Sequence, residues 1–352
     1  MSRLAAHLSC TAILSWTAMG FALVAGAAIG QPAEDFYRGK QINLLVGSGA
    51  GGGYDAYARV FARHAGKHIP GNPSFVVKNL PAAGGMAAAN TLYSGVDRDG
   101  LTIAAHTNGI AMDPLFGNAG ARFDGRNFNW LGSIGKLQNV CAVWHLHPVK
   151  TIEQARQREV TVAGAGATSN TVIVPKIMNA LLGTKFKVIA GYEPGQGDAI
   201  AMESGEVDGV CGLAWSTIKA SRASWIKDRK ITVLVQMAME KLPDLPDVPA
   251  ALDLVSDEAS RKVLQLILIR QEMGRPFAAP PGAPADRVAV LRRAFDATMQ
   301  DREFLAEAAR VQMDVDPLTG AQIDALLAAA YSAPKDIVQR AAAFIDPGAQ
   351  AK

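Results

Sequence analysis

Turns rich in glycine and hydroxyl side chains are the segments of this chain best suited to binding a small anion. The clearest one, residues 47–53, contains Ser48, Ala50 and five glycines, and it separates a predicted strand (41–46) from a helix that begins near Tyr54. Backbone N–H groups without bulky side chains then face the same point as the positive end of the helix dipole. That arrangement favours an anion at this point.

Four further turns of this kind follow predicted strands, at residues 81–85, 106–109, 164–171 and 191–198. One such turn could simply reverse the chain. Five of them in two separate sets of strands predict a binding cleft, because the carboxyl ends of parallel strands meet at one edge of a sheet. None of the five turns contains Lys or Arg, so we expect backbone N–H groups and helix dipoles to neutralise the bound anion.

Motifs for catalysis and for cofactors are weak in this chain. The spacing Gly47-x-Gly49-x-x-Gly52 matches the dinucleotide fingerprint, but the next strand ends in Lys78-Asn79, without the acid that would bind a ribose hydroxyl. No lysine follows the glycines as a P-loop requires, and neither Ser48 nor Ser169 lies in a G-x-S-x-G elbow. We therefore predict no cofactor and no enzymatic activity.

Two histidines four residues apart, His64 and His68, could share one face of a helix and hold a metal ion. They come just before Pro70, which ends the helix, so a solvated helix end is the favoured interpretation. We predict no metal site.

The elements that must position these turns form two α/β sets. Strand–turn–helix units repeat three times between residues 41 and 109, and a second series of strands begins near Asn139 and ends with 231–235. Such units predict parallel sheets covered on both faces. The part from Pro284 onward is predicted to be helical. A length of 352 residues also suggests two domains.

Residues 1–30 have the features of a cleavable signal peptide. Arg3 and His7 lie near the start, the stretch Thr11 to Ala28 is apolar, and no further charge occurs before Glu34. The alternative is an uncleaved membrane anchor, since the uncharged span is long enough to cross a bilayer. We predict cleavage and a periplasmic protein. A net charge of +3 without a basic run argues against a nucleic-acid partner.

Two cysteines, Cys141 and Cys211, remain outside the leader. In an oxidising compartment they could form a disulfide, which would stabilise the fold by roughly 4 kcal/mol on the chain-entropy model. Two buried thiols on strands are the alternative, because spacing alone does not indicate proximity. Both interpretations remain open from the sequence.

Six motifs in order resemble the extracytoplasmic receptors of the tripartite tricarboxylate transporters, the TctC or Bug family. They are Gly51-Gly52-Gly53-Tyr54-Asp55-x-x-Ala58-Arg59, Asn79-Leu80-Pro81-Ala82-Ala83-Gly84-Gly85, Asp99-Gly100-Leu101-Thr102-Ile103, Gly205-Glu206-Val207-Asp208, Leu245-Pro246-Asp247-Val248-Pro249 and Ala279-Pro280-Pro281-Gly282-Ala283-Pro284. The resemblance extends from about Phe36 to Ile345. There are departures, such as Ala82 in place of the usual glycine and Cys211-Gly212 where an aromatic-Asp pair is common.

The resemblance implies a periplasmic binding protein fold (type II-like), with two doubly wound α/β lobes joined by a hinge of two crossovers. It implies one lobe from 36–138 plus 270–348 and a second from 139–269. It also implies a non-catalytic monomer that captures a small organic anion, a carboxylate, and delivers it to membrane permease subunits. A ligand-sensing subunit with the same fold and, less favoured, a secreted enzyme are the alternatives.

The resemblance and the predicted turns together give a set of candidate ligand-binding residues. The candidates are Ser48, Gly49, Gly51, Gly52, Gly53, Tyr54, Asp55, Ala83, Gly84, Gly85, Asn108, Thr168, Ser169, Asn170, Thr171, Gly195, Gln196, Gly197, Asp198, Gly212 and Trp215. Tyr54 and Trp215 could form an aromatic wall that would favour a ring-containing or longer apolar acid.

Overall fold

The structure is a computed structural model that describes residues 36–345, except 167–168 and 193–196. The predicted signal peptide and the candidates Thr168, Gly195 and Gln196 lie outside the described residues. Among the described residues, no helix is long and apolar enough to span a membrane.

Eleven strands and thirteen α-helices make up the described part. The strands are β1 (Gln41–Val46), β2 (Ser74–Asn79), β3 (Thr102–Ala105), β4 (Asn129–Ser133), β5 (Asn139–Trp144), β6 (Val160–Gly164), β7 (Phe186–Ala190), β8 (Gly209–Ala214), β9 (Ile231–Met237), β10 (Pro276–Ala279) and β11 (Leu318–Thr319). The helices are α1 (Gly53–Ala65), α2 (Met86–Ser94), α3 (Ile152–Gln157), α4 (Asn170–Leu182), α5 (Gly197–Glu203), α6 (Trp215–Ser221), α7 (Ala223–Lys227), α8 (Ala251–Leu254), α9 (Glu258–Met273), α10 (Ala285–Met299), α11 (Arg302–Arg310), α12 (Gly320–Tyr331) and α13 (Lys335–Ile345). Short 3₁₀ turns occupy Gly66–His68, Ala82–Gly85, Ile110–Met112 and Gly125–Asn127.

Two separate mixed sheets form the centres of two lobes. The first has the order β11-β4-β10-β3-β1-β2, and the second has the order β7-β6-β8-β5-β9. In the first sheet β1, β2 and β3 are parallel, as their strand–turn–helix pattern predicts. Strand β10 is antiparallel to both β3 and β4 in the first sheet, and β5 is antiparallel to β8 in the second. Neither lobe therefore has the purely parallel sheet that the pattern alone suggests.

The first sheet is covered on both faces because successive residues of a strand point in opposite directions. Leu44 and Val46 of β1 pack with Phe61 of α1 in one core cluster, whereas Leu45 packs with Leu92 of α2 in another. All these side chains are buried. The carboxyl end of β1 is thereby fixed between two layers of helix.

The chain passes between the two sheets twice, and the two crossovers are hydrogen-bonded to each other. The first crossover connects β4 to β5, and the second connects α9 to β10. The N–H of Leu137 donates to the backbone oxygen of Gln271 at 2.9 Å, and the N–H of Asn139 donates to its side-chain Oε1 at 2.9 Å. The N–H of Arg275 donates to the oxygen of Gly135 at 3.1 Å. These contacts join the two crossovers into a narrow hinge of two chain segments.

Cys141 and Cys211 lie opposite each other on the antiparallel strands β5 and β8, and the structure joins them by a disulfide. Both residues are buried. The bond therefore links two strands in the middle of the second sheet, 70 residues apart in sequence.

Candidate functional site

A cavity of about 470 Å³ lies between residues of the two lobes. Its walls come from turns that follow strands of the first sheet, from the start of α4 in the second lobe, and from the ends of α9 and α13. The lining residues are Tyr54, Ala83, Gly84, Thr107, Asn108, Gly109, Ile110, Asp113, Phe116, Asn118, Ser169, Asn170, Arg270 and Ile345. Six of the candidates predicted from the sequence belong to this lining: Tyr54, Ala83, Gly84, Asn108, Ser169 and Asn170.

The wall from the first lobe is held together by short polar contacts. The N–H of Asn108 donates to the hydroxyl oxygen of Tyr54 at 3.1 Å, and the hydroxyl of Thr107 donates to the oxygen of Gly84 at 3.1 Å. Burial raises the pKa of Tyr54 above its ordinary value, so its phenol stays protonated at neutral pH and retains an O–H donor.

The turn 81–85 comes so close to the first turn that glycine is required there. Gly85 has a φ of +98°, and a Cβ at this position would meet the carbonyl oxygen of Gly47 at 2.7 Å. Ala83 also has a positive φ, +52°, a backbone conformation that is unfavourable for alanine. The two turns therefore pack backbone to backbone.

Asp55 stabilises the first glycine turn from within. Its carboxylate accepts hydrogen bonds from the N–H of Gly51 at 2.8 Å, from Nε of Arg59 at 2.9 Å and from Nδ2 of Asn79 at 2.8 Å. Burial alone would raise the pKa of Asp55, but these hydrogen bonds lower it below its ordinary value. The carboxylate is thus engaged with the protein and does not line the cavity.

The remaining candidates of the first lobe do not line the cavity. Ser48 lies in the turn and its carbonyl oxygen accepts from Nδ2 of Asn79 at 2.9 Å. The other residues of this group that are absent from the lining are Gly49, Gly51, Gly52, Gly53 and Gly85.

The wall from the second lobe is the amino end of α4. Ser169 precedes the helix, and its hydroxyl lies 3.0 Å from Oγ1 of Thr171. Oγ1 of Thr171 also accepts the N–H of Ala165 at 3.0 Å, which fixes the turn after β6. Gly212 has a φ of +94°, and a Cβ there would overlap the carbonyl oxygen of Asn170. Thr171 and Gly212 therefore hold Ser169 and Asn170 in place without lining the cavity themselves.

Three further candidates of the second lobe lie away from the lining. Gly197 and Asp198 form the first turn of α5, and the carboxylate of Asp198 accepts the N–H of Ala199 at 2.8 Å. Trp215 is buried, and its indole N–H donates to Asp244 at 3.0 Å. It lines a separate cavity of about 40 Å³ near the hinge. Trp215 therefore does not form the expected aromatic wall with Tyr54, and the second aromatic ring in the lining of the main cavity is that of Phe116.

The main feature that sequence reasoning missed is Arg270. Its guanidinium lies against the backbone of Gly109, where a Cβ would collide with it. One of its terminal nitrogens, Nη2, is 3.9 Å from the carboxylate of Asp113, and both side chains are mostly buried. The expectation that backbone N–H groups and helix dipoles neutralise the anion considered only the turns, whereas the lining also contains this arginine.

A signal for Arg270 was present in the sequence. It is a single cation at the end of the apolar run Leu266–Ile269, in the segment where the chain returns to the first lobe. Thr107 and Gly109 lie in the predicted turn 106–109 but were not among the named candidates. The lining residues that follow this turn were missed: Ile110, Asp113, Phe116 and Asn118. Ile345, at the end of α13, also lines the cavity, although it is distant in sequence from all five predicted turns.

The histidine pair on α1 and the following turn lies within hydrogen-bond distance of carboxylates of α11 and its cap. Nε2 of His64 lies 2.7 Å from Glu307, and Nε2 of His68 lies 2.7 Å from Asp301. Hydrogen bonds from Arg63 and His64 lower the pKa of Glu307 to about 2. His64, Asp301 and Glu303 could each offer one ligand atom to a metal, but the ammonium of Lys67 already pairs with both carboxylates. The geometry favours a surface ion-pair network.

The sequence was compared with models of known protein families. Residues 57–342 match the model of the tripartite tricarboxylate transporter family receptor, TctC. The chain belongs to this family. It is a family of solute-binding receptors and not of enzymes, which confirms the resemblance carried by the six motifs.

Individual relatives are distant but cover most of the chain. A protein of Agrobacterium vitis, described as the UPF0065 protein in the TAR-I ttuE-ttuC' intergenic region, is 24% identical over 336 residues, which are 92% of this chain and 87% of that protein. The structure of R. palustris Rpa4515 with adipate is 18% identical, with a TM-score of 0.64, and the match covers 86% of this chain and 97% of that one. The structure of MatC from Rhodopseudomonas palustris with bound malate is 20% identical, with a TM-score of 0.59, over 85% of this chain and 99% of that one. These matches show the same two-lobed fold.

Proposed function

We propose that this TctC-family protein is exported to the periplasm, captures a small carboxylate in the cavity between its lobes, and delivers it to a membrane permease. The observation that carries the proposal is the cavity itself. Its lining combines hydroxyl and amide side chains from both lobes with one arginine, so a ligand there would contact Tyr54 and Asn108 on one side and Ser169 and Asn170 on the other.

Ligand contacts with both lobes provide a physical reason for closure. A ligand that touches only one lobe has no effect on the hinge equilibrium, whereas one that touches both stabilises the closed form. Among the described residues the chain joins the two lobes through only two crossovers, and these are the connections about which the lobes would rotate. Structural relatives of the chain have adipate or malate bound, which supports a small carboxylate as the ligand.

A thermal-shift panel of mono-, di- and tricarboxylates, aromatic acids and amino acids tests the proposal. A ligand at a hundredfold excess over its Kd stabilises the folded state by about 2.7 kcal/mol, so one acid class should raise Tm clearly. The protein should first be unfolded and refolded to remove any ligand that co-purified. A refolded protein that no acid stabilises would contradict the proposal.

Two substitutions in the second-lobe wall locate the binding site. Ser169→Ala and Asn170→Ala should each weaken binding of the best acid about tenfold, because each removes a polar contact worth roughly 1–2 kcal/mol. Ser221→Ala is the matched control, since its exposed hydroxyl donates only to the Thr217 oxygen of its own helix. Wild-type affinity in the first two variants would count against this site.

A further inference from the structure

We infer that Arg270 is the cation that binds the ligand's carboxylate and gives the cavity its preference for anions, and that Asp113 positions this arginine. The inference rests on the function proposed above. Among the lining residues that the structure describes, Arg270 is the only cation and Asp113 the only carboxylate. The remaining side chains are uncharged, so the charge specificity of the cavity depends on this pair.

At least one donor of the Arg270 guanidinium is unused among the described residues. Nε is buried without a hydrogen-bond partner among the described residues. The 3.9 Å between Nη2 and the nearest Asp113 oxygen is an ion-pair distance and too long for a hydrogen bond. A buried, charged donor without a partner is unfavourable. A carboxylate in the cavity would accept from these donors in the planar geometry that arginine favours.

Gly109 determines where the guanidinium lies. A Cβ at this position would collide with the terminal and ε nitrogens of Arg270, so only glycine lets the charged plane rest on the backbone. Gly109 directly follows Asn108, whose N–H donates to Tyr54. The arginine is therefore aligned with the same wall that presents the polar groups of the first lobe.

Arg270 also lies directly beside the hinge. The next residue, Gln271, holds the two crossovers together through its backbone oxygen and its side chain. A ligand that binds to Arg270 is thus attached to the segment about which the lobes rotate. Asp113, in contrast, lies in the first lobe after β3 and keeps the guanidinium directed into the cavity.

The inference is tested by calorimetric titration with malate and adipate, together with the acid from the panel that raises Tm most. Arg270→Gln should lower carboxylate affinity at least about 30-fold, because it removes a buried charge partner. Asp113→Asn should lower the affinity by no more than about threefold, because the lost positioning of Arg270 is offset by the loss of an anion that competes with the ligand for the guanidinium. The affinities of the two variants should therefore differ by about tenfold or more.

Three further variants separate charge from structure. Gly109→Ala keeps the charge but displaces the guanidinium, and should weaken binding like Arg270→Gln. Arg270→Lys keeps the positive charge and should recover part of the lost affinity. It is the variant to measure if Arg270→Gln folds poorly. Arg126→Gln, which changes an exposed arginine beside Asp124, is the control and should bind like the wild type.

Each result bears on one proposal in particular. If the wild type binds no acid, the proposed function fails and this inference fails with it. If the wild type binds but Arg270→Gln binds equally well, only the inference about Arg270 is overturned. Equal losses of affinity and of Tm in Arg270→Gln and Asp113→Asn would mean a purely structural ion pair and would also overturn it.

Discussion

Replacing His106 should make the protein less sensitive to acid. This side chain is fully buried, its two ring nitrogens have no hydrogen-bond partner among the described residues, and it packs near Phe128 and Trp130. Burial lowers its pKa from an ordinary value of 6.5 to about 3. The folded protein therefore keeps His106 neutral over a pH range in which the unfolded chain binds a proton.

The sign and size of the effect follow from proton linkage. Below about pH 6.5 the unfolded state takes up one proton more than the folded state, so stability falls by about 1.4 kcal/mol per pH unit. The loss continues until the folded pKa, near 3, is reached. Between about pH 7 and pH 5, His106 alone should cost the wild type about 2 kcal/mol of unfolding free energy.

His106→Phe removes the titrating group and keeps an aromatic ring of similar shape. Urea unfolding of wild type and variant at several pH values between about 7 and 5 would give the difference in unfolding free energy at each pH. Other groups titrate equally in both proteins, so the difference should change by about 2 kcal/mol in favour of the variant. Parallel pH profiles would refute the reasoning, whatever the offset at neutral pH.

Two further predictions concern the second lobe. Gly212→Ala should lower the unfolding free energy by roughly 2–4 kcal/mol, because the backbone has a positive φ and the new Cβ would overlap the Asn170 oxygen. Urea unfolding would measure this loss, and ligand titration would measure the carboxylate affinity of the variant. An unchanged affinity would contradict the supporting role of Gly212. Reduction of the disulfide between Cys141 and Cys211 should cost about 4 kcal/mol, which unfolding with and without dithiothreitol would measure; a Cys141→Ser, Cys211→Ser double variant that still responds to the reductant would contradict it.

The parallel part of the fold could be predicted because its signals are local. The strands β1, β2 and β3 each combine an apolar run with a turn and a helix, and β1 has the predicted bounds, 41–46. The antiparallel strands β4 and β10 carry no such signal. β10 has four residues and begins at Pro276, and its partners lie more than a hundred residues earlier in the chain.

The candidate site was predictable to the extent that it consists of strand-end turns. Tyr54 and Asn108 were identified from the family resemblance together with the turns at the carboxyl edge of the parallel strands. Asp55 was included as part of the glycine-turn motif, and its hydrogen bonds to Gly51, Arg59 and Asn79 could not be deduced from its position in the first turn of the helix. Trp215 follows a strand end as expected, but its indole is directed to Asp244, a partner that the sequence pattern does not reveal.

Arg270 marks the limit of this reasoning. A helix whose carboxyl end lies at the hinge has no glycine turn, so a search restricted to strand ends leaves it out. Its presence in the cavity depends on the register between α9 and the segment after β3, which is set by Gly109 and by the contacts of Gln271 with the first crossover. These are contacts between segments more than 130 residues apart in sequence. Local patterns therefore indicate where the polar walls of the cleft lie, whereas the charge at its centre follows from long-range packing.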